Sequence, residues 1–74
     1  MTETVMNLRG LKCPLPALRM RKKLSTLKPG DMIVAECTDP LTMIDIPNLL
    51  RQTGDTLEEK SESEGVFRFR VRKT

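Results

Sequence analysis

The sequence lacks histidine, tryptophan and tyrosine, and its 74 residues include only two cysteines and two phenylalanines. Without histidine, a cysteine hydrolase has no imidazole base, and two cysteines alone do not provide the roughly four ligands of a zinc site. A dithiol redox centre needs a Cys-x-x-Cys motif, but the residue at that spacing from Cys13 is Pro16. These absences exclude the hydrolase, zinc and dithiol redox classes, and they predict no metal site.

Long hydrophobic runs are also missing, so no segment offers the roughly 20 apolar residues of a membrane-spanning helix. Residues 1–10 lack the basic start and apolar core of a signal peptide. Both absences predict a cytoplasmic protein with no membrane partner, in which the two cysteines stay reduced. The length and the 38% hydrophobic content predict one folded domain that covers residues 1–74.

The net charge of +3 is unevenly distributed along the chain. Residues 9–28 contain seven basic residues and no acidic one, whereas residues 29–67 contain nine acidic residues against Arg51 and Lys60. Four more basic residues lie near the end of the chain: Arg68, Arg70, Arg72 and Lys73. The pattern predicts a basic side that can steer an acidic partner or a nucleic acid.

Two segments have the apolar spacing of helices. In the first, side chains recur at intervals of three and four: Ala17, Met20, Leu24 and Leu27. Leu18 is expected to widen this apolar face. Pro14 suits the first helical position, where no N–H is needed, and Pro29 followed by glycine is expected to end the helix. The second helix is predicted around Ile44 to Leu50 and ends at Gly54, with Pro47 either in its first turn or at a kink.

Four segments have the pattern of strands: residues 5–8, 32–37, 57–62 and 66–72. The last alternates most clearly, with apolar side chains on one face and Arg68, Arg70 and Arg72 on the other. The charged segment 57–62 suits a sheet edge. The order β-α-β-α-β-β predicts a two-layer α/β sandwich, in which two helices cover one face of a mixed four-stranded sheet and the last two strands form an antiparallel hairpin.

Cys13 is predicted at the N-cap of the first helix, where the helix dipole stabilises a thiolate. We expect two further effects to favour the ionised form of Cys13. One is hydrogen bonding from the backbone N–H groups of Leu15 and Ala17, and the other is the positive charge of Arg9 and Lys12. We therefore expect a lowered pKa and a nucleophilic thiol at this position.

A second interpretation of Cys13 stays open on the residues alone, because a lone cysteine often packs as a small buried hydrophobe. For Cys37 the packed interpretation is favoured, since Cys37 alternates in phase with Ile33 and Ala35 on the predicted core face. With no histidine base and no resolving cysteine nearby, the Cys13 thiol suits carrying a group better than completing a catalytic cycle.

The segment from Gly10 to Pro16 resembles the Gly-Leu-x-Cys-Pro-x-Pro signature of the TusA/SirA-like sulfur carrier family. A second similarity lies in Asp39-Pro40 and Asp45-Ile46-Pro47, and the resemblance covers nearly the whole chain. It implies the same two-layer fold, with Cys13 as the catalytic residue that takes up sulfur as a persulfide. It also implies no bound cofactor, and a carrier rather than a complete stand-alone enzyme.

The partners implied by this resemblance are a cysteine desulfurase as donor and a downstream protein thiol as acceptor. The implied pathways are tRNA thiolation, molybdenum cofactor assembly or sulfur oxidation. Two departures from the family pattern are visible. Asp55 follows Gly54 where many members have histidine, and Leu15 stands where some members have an acidic residue.

The alternative hypothesis is a nucleic-acid-binding or regulatory module that uses the arginine stripe of the last strand and the basic face of the first helix. Both phenylalanines alternate to the opposite side of that strand, so this face offers no aromatic platform for stacking bases. Direct nucleic-acid binding is therefore the less favoured prediction. The basic residues of the first helix are also candidates for docking a protein partner: Arg19, Arg21, Lys22 and Lys23.

Overall fold

Strands and helices follow one another in the predicted order in the computed structural model, which describes residues 3–74. The elements are β1 (Glu3–Leu8), α1 (Leu15–Leu24), β2 (Met32–Cys37), α2 (Thr42–Thr53), β3 (Thr56–Ser63) and β4 (Val66–Arg72). Residues 1 and 2, which the predicted domain and the signal-peptide argument included, lie outside the described residues.

The four strands form one mixed sheet in the order β1-β2-β4-β3. β1 and β2 are parallel, whereas β4 is antiparallel to both β2 and β3. The predicted hairpin and the edge position of β3 are confirmed, and β3 also has a bulge between Leu57 and Glu59. Because β1 and β2 are parallel neighbours, their carboxyl ends lie side by side. The loops that follow these two strands therefore lie next to each other.

α1 begins one residue later than predicted. Pro14 is the N-cap residue, so Cys13 precedes the cap and the prediction that it occupies the N-cap is wrong. The helix also ends at Leu24, well before Pro29, because the hydroxyl groups of Ser25 and Thr26 donate to backbone carbonyls of the last turn.

α2 begins at Thr42, earlier than predicted, and Pro47 lies inside it rather than in its first turn. The Thr42 hydroxyl donates to the Asp39 carbonyl oxygen at 2.7 Å, which supports the early start. Gly54 ends the helix as predicted: its φ of 82° is in the left-handed region, and its N–H donates to the Leu50 carbonyl oxygen.

The core lies between the helices and one face of the sheet. The sheet supplies Leu8, Ile33, Ala35, Cys37, Phe67, Phe69 and Val71, and the helices supply Met20, Leu24, Ile46, Leu49 and Leu50. The predicted alternation of β4 and the predicted burial of Cys37 are confirmed. Leu18, which was expected to widen the buried face of α1, is instead 55% exposed.

Candidate functional site

The loop that carries Cys13 is held by hydrogen bonds from its backbone N–H groups to side chains of the loop that follows β2. The Gly10 N–H donates to Thr38 Oγ1 at 2.9 Å, and the Cys13 N–H donates to Asp39 Oδ2 at 2.8 Å. The other oxygen of Asp39 accepts from the Leu41 N–H at 3.0 Å, just before α2. Asp39 therefore joins the Cys13 loop to the start of α2.

The Cys13 side chain is partly exposed and points toward α2. Its Sγ donates a hydrogen bond to Oδ2 of Asp45, which lies in the first turn of α2. The peptide bond between Cys13 and Pro14 is cis. The thiol therefore lies just before the start of α1 and contacts a carboxylate of α2.

The predicted lowering of the Cys13 pKa is wrong, because the Asp45 hydrogen bond, partial burial and the negative charges of Asp45 and Asp39 all raise this pKa. Ionising the thiol beside these carboxylates brings like charges together. The donor expected from Leu15 is also not available, since its N–H donates to the Lys12 carbonyl oxygen at 2.8 Å.

Asp39 itself stays ionised at neutral pH. Hydrogen bonds from the backbone N–H groups of Cys13 and Leu41 lower its pKa, and the positive charge of Lys12 acts in the same direction. The negative charge that Asp39 contributes to the Cys13 environment is therefore permanent under ordinary conditions.

Cys13 opens onto a cleft of about 320 Å³ between α1 and α2. Ala17, Leu18 and Leu49 give the cleft apolar walls, while Arg21, Asn48 and Gln52 line it with polar groups. A terminal sulfur atom attached to Cys13 has space in this cleft.

Large exposed hydrophobic side chains gather at the starts of the two helices. Four of the five in the described residues are there: Leu15 and Leu18 in α1, and Leu41 and Ile44 at the beginning of α2. Their exposed fractions range from 45% to 60%. We call these four residues the apolar rim. A group of exposed apolar side chains of this kind is typical of a surface that a protein partner covers.

Cys37 has the opposite environment. It is fully buried, and burial raises its pKa to about 11 against a smaller opposing effect of a hydrogen bond with Thr42. The interpretation of Cys37 as a packed core residue is therefore confirmed.

Asp55, the residue that departs from the family pattern, lies at the far end of α2 and is buried. Burial by itself raises its pKa, but hydrogen bonds from Thr74 and Thr53 and the charge of Lys73 outweigh that effect, so the pKa is lowered. Its Oδ1 accepts the Thr74 N–H at 3.0 Å, and Lys73 Nζ is 3.5 Å from the same oxygen. Asp55 thus anchors the end of the chain beside β3.

The arginine stripe of β4 is exposed, as predicted, but each arginine has an acidic neighbour on the same open face. Arg68 is 2.7 Å from Glu36, Arg70 is 3.0 Å from Glu3, and Arg72 is 3.5 Å from Glu58. Both phenylalanines are buried on the other face. The stripe is therefore partly neutralised and offers no stacking platform among the described residues.

Within residues 3–74, no three cysteine, aspartate or glutamate side chains gather into a group suited to a metal ion. In the same residues, neither helix is long and apolar enough to span a membrane.

The fold and site define a small two-layer α/β domain with one partly exposed thiol before a helix. The profile of the family described as Sulfurtransferase TusA matches residues 4–73. The chain belongs to this family, which confirms the resemblance seen in the sequence.

Named relatives agree with this assignment. The chain is 40% identical over 67 residues to a candidate sulfur carrier protein of Neisseria meningitidis, with 90% of each chain covered. It is 38% identical to the sulfur carrier protein TusA of Allochromatium vinosum, with 88% of this chain and 86% of the relative covered. These relatives support a sulfur carrier role.

The fold matches that of a SirA-like protein from Desulfitobacterium hafniense with a TM-score of 0.83. The two chains are 20% identical, and the match covers 93% of this chain and 95% of the other. This likeness confirms the predicted α/β architecture.

Sequence reasoning found Cys13 but missed what Asp39 and Asp45 do around it. Both were seen only as parts of a motif. The available signal was topological: Asp39 follows the carboxyl end of β2, beside the end of β1, and Asp45 lies in the first turn of the helix that comes next. Polar groups at such adjacent strand ends commonly build sites in α/β folds.

Proposed function

We propose that Cys13 accepts a sulfur atom from the persulfide of a cysteine desulfurase and passes it to the thiol of a downstream acceptor protein. The observation that carries the proposal is the position of Cys13, a partly exposed thiol that opens onto the cleft between α1 and α2 in a chain of the TusA family. Of the two cysteines, both of which lie in the described residues, Cys13 is the accessible one, because the sulfur of Cys37 is buried.

The transfer needs no external oxidant or reductant. A new bond forms between Cys13 Sγ and the terminal sulfur of the donor persulfide, and the donor S–S bond breaks and leaves a thiol. In the second transfer an acceptor thiol attacks the carried sulfur in the same way and restores Cys13. The chain acts as a carrier between two reactions rather than as a complete enzyme.

The apolar rim supports contact with protein partners. A partner that covers these four side chains removes apolar surface from water and brings its own sulfur to Cys13. The basic residues of α1 favour acidic groups on a partner that docks against this helix. Arg21 is the one that also lines the cleft beside Cys13.

We place this relay in the cytoplasm, in the supply of sulfur for tRNA thiolation or related sulfur trafficking. The support is the family assignment together with two free cysteines, which suit a reducing compartment. No observation favours the nucleic-acid-binding alternative, since the arginines of β4 lie beside glutamates.

The proposal is tested by incubating the chain with a cysteine desulfurase and L-cysteine and then measuring its intact mass. We expect an adduct of one sulfur atom on the unaltered chain and on Cys37→Ala, and none on Cys13→Ser. Reduction should remove the adduct, as expected for a persulfide. An adduct that persists on Cys13→Ser, or no adduct on the unaltered chain, contradicts the proposal.

A further inference from the structure

The hydrogen bond between Cys13 and Asp45 gives the carboxylate a direct contact with the reacting sulfur. We propose that Asp45 is a catalytic residue of sulfur uptake, which accepts the proton of Cys13 as the new sulfur–sulfur bond forms. This inference rests on the proposed function, because it concerns the step by which Cys13 gains its sulfur.

The placement of Asp45 is suited to this role. Its backbone N–H donates to the Leu41 carbonyl oxygen at 2.9 Å, so the residue is held in the first turn of α2. Its carboxylate also lines the cleft into which a donor sulfur has to enter. A general base needs to lie within hydrogen-bond reach of the proton that it removes, and Oδ2 of Asp45 meets this condition.

Other charged groups near the thiol are less suited to accept its proton. Asp39, in the loop before α2, already accepts the N–H groups of Cys13 and Leu41, one with each oxygen. Lys12 acts on Asp39 by its charge, and Arg21 of α1 lines the cleft but carries no acceptor. Among the described residues, Asp45 is thus the carboxylate that contacts Cys13 Sγ.

Sulfur uptake at Cys13 then proceeds by displacement at the terminal sulfur of the donor persulfide. The lone pair of Cys13 Sγ attacks the terminal sulfur of a donor R–S–SH while the Sγ–H proton moves to Oδ2 of Asp45. The donor S–S bond breaks, its electron pair stays on the leaving sulfur, and that sulfur takes the proton from Asp45. The products are the Cys13 persulfide and R–SH, so Asp45 returns to its carboxylate form.

This role explains why a carboxylate stands beside a nucleophilic thiol. In the free chain Asp45 keeps Cys13 in its protonated form, since its hydrogen bond is the largest cause of the raised pKa. A thiol reacts with passing electrophiles far more slowly than a thiolate does. When a donor sulfur is in place, the same carboxylate removes the proton where the thiolate is needed.

The two effects predict opposite responses to Asp45→Asn. Alkylation of Cys13 by iodoacetamide at pH 7 depends on the thiolate fraction and should become about tenfold faster, because removing the carboxylate lowers the Cys13 pKa. Sulfur uptake from glutathione persulfide, followed by intact mass in a single turnover, should become about 10²-fold slower without the base. Asp45→Glu keeps a carboxylate and should recover part of the uptake rate.

The matched control is Glu62→Gln, which removes one carboxylate from the edge strand at the opposite side of the sheet from β1. Both of its rates should equal those of the unaltered chain. The pH profiles give a further readout: between pH 6 and 8 the uptake rate of Asp45→Asn, relative to the unaltered chain, should rise by up to about tenfold per pH unit, as a thiolate fraction does.

Two outcomes overturn the inference while leaving the carrier function intact. If Asp45→Asn accelerates alkylation and uptake in parallel, Asp45 only lowers the thiolate fraction and is not a base. If neither rate changes, the contact has no role in reactivity. Failure of the unaltered chain to take up sulfur from a cysteine desulfurase would instead refute the proposed function itself.

Discussion

The two cysteines differ in the physical origin of their raised pKa values. At Cys13 the main cause is the carboxylate of Asp45, whereas at Cys37 it is burial in the core. A carboxylate can take up the proton that it holds in place, but a buried site offers the proton no comparable acceptor. A thiol that a neighbouring carboxylate keeps protonated can therefore still react, whereas a thiol that burial keeps protonated has no acceptor at hand for its proton.

The two cysteines should differ most in their rates of alkylation in the folded chain. We expect iodoacetamide to modify Cys13 at least about 10³-fold faster than Cys37, because Cys37 reacts only after an opening that costs roughly 5 kcal/mol or more. Peptide mapping after a time course measures both rates. In denaturant the two rates should become similar, and a fast-reacting Cys37 in the folded chain would remove the contrast between the two sites.

The structural side of the comparison is tested by Cys37→Ala. Removing a fully buried sulfur leaves a cavity beside the sheet, so the free energy of unfolding should fall by about 1–2 kcal/mol. Urea denaturation measures this change. The alkylation rate of Cys13 should stay the same, and a large change in it would show that the two sites are coupled.

The smallest expected effect concerns Asp39→Asn. Asp39 is the last of the causes that raise the Cys13 pKa, so removing its charge should speed alkylation of Cys13 by only about twofold to threefold. The alkylation rate of Cys13 at pH 7 is measured by quenching samples at successive times and determining their intact mass. An acceleration larger than that of Asp45→Asn would show that Asp39, and not Asp45, has the larger effect on the Cys13 pKa.

Much of the fold was predictable because its signals are local. The alternation in β4, the apolar spacing of α1 and the glycine that ends α2 each depend on neighbouring residues. The order of the strands was not predictable in this way. It depends on the insertion of β4 between β2 and β3. This pairing is decided by contacts between residues far apart in the sequence.

The candidate site was predicted only in part for the same reason. Cys13 was identified from its own segment, but its pKa was predicted in the wrong direction. The prediction considered α1 alone, whereas the deciding groups, Asp39 and Asp45, come from residues 26 and 32 positions further along the chain. Proton affinity at this site is set by tertiary contacts that no local motif describes.

The central position of β4 has a consequence for the order in which the molecule assembles during synthesis. β4 pairs with both β2 and β3, yet it follows them along the chain. The four-stranded sheet cannot be completed until β4, which ends at Arg72, has left the ribosome. The segment around Cys13 is therefore synthesised well before the sheet that it packs on is complete. Until β4 pairs with β2, Cys37 lacks its cross-strand neighbour Phe67, so the burial of this thiol depends on a strand that is synthesised after it.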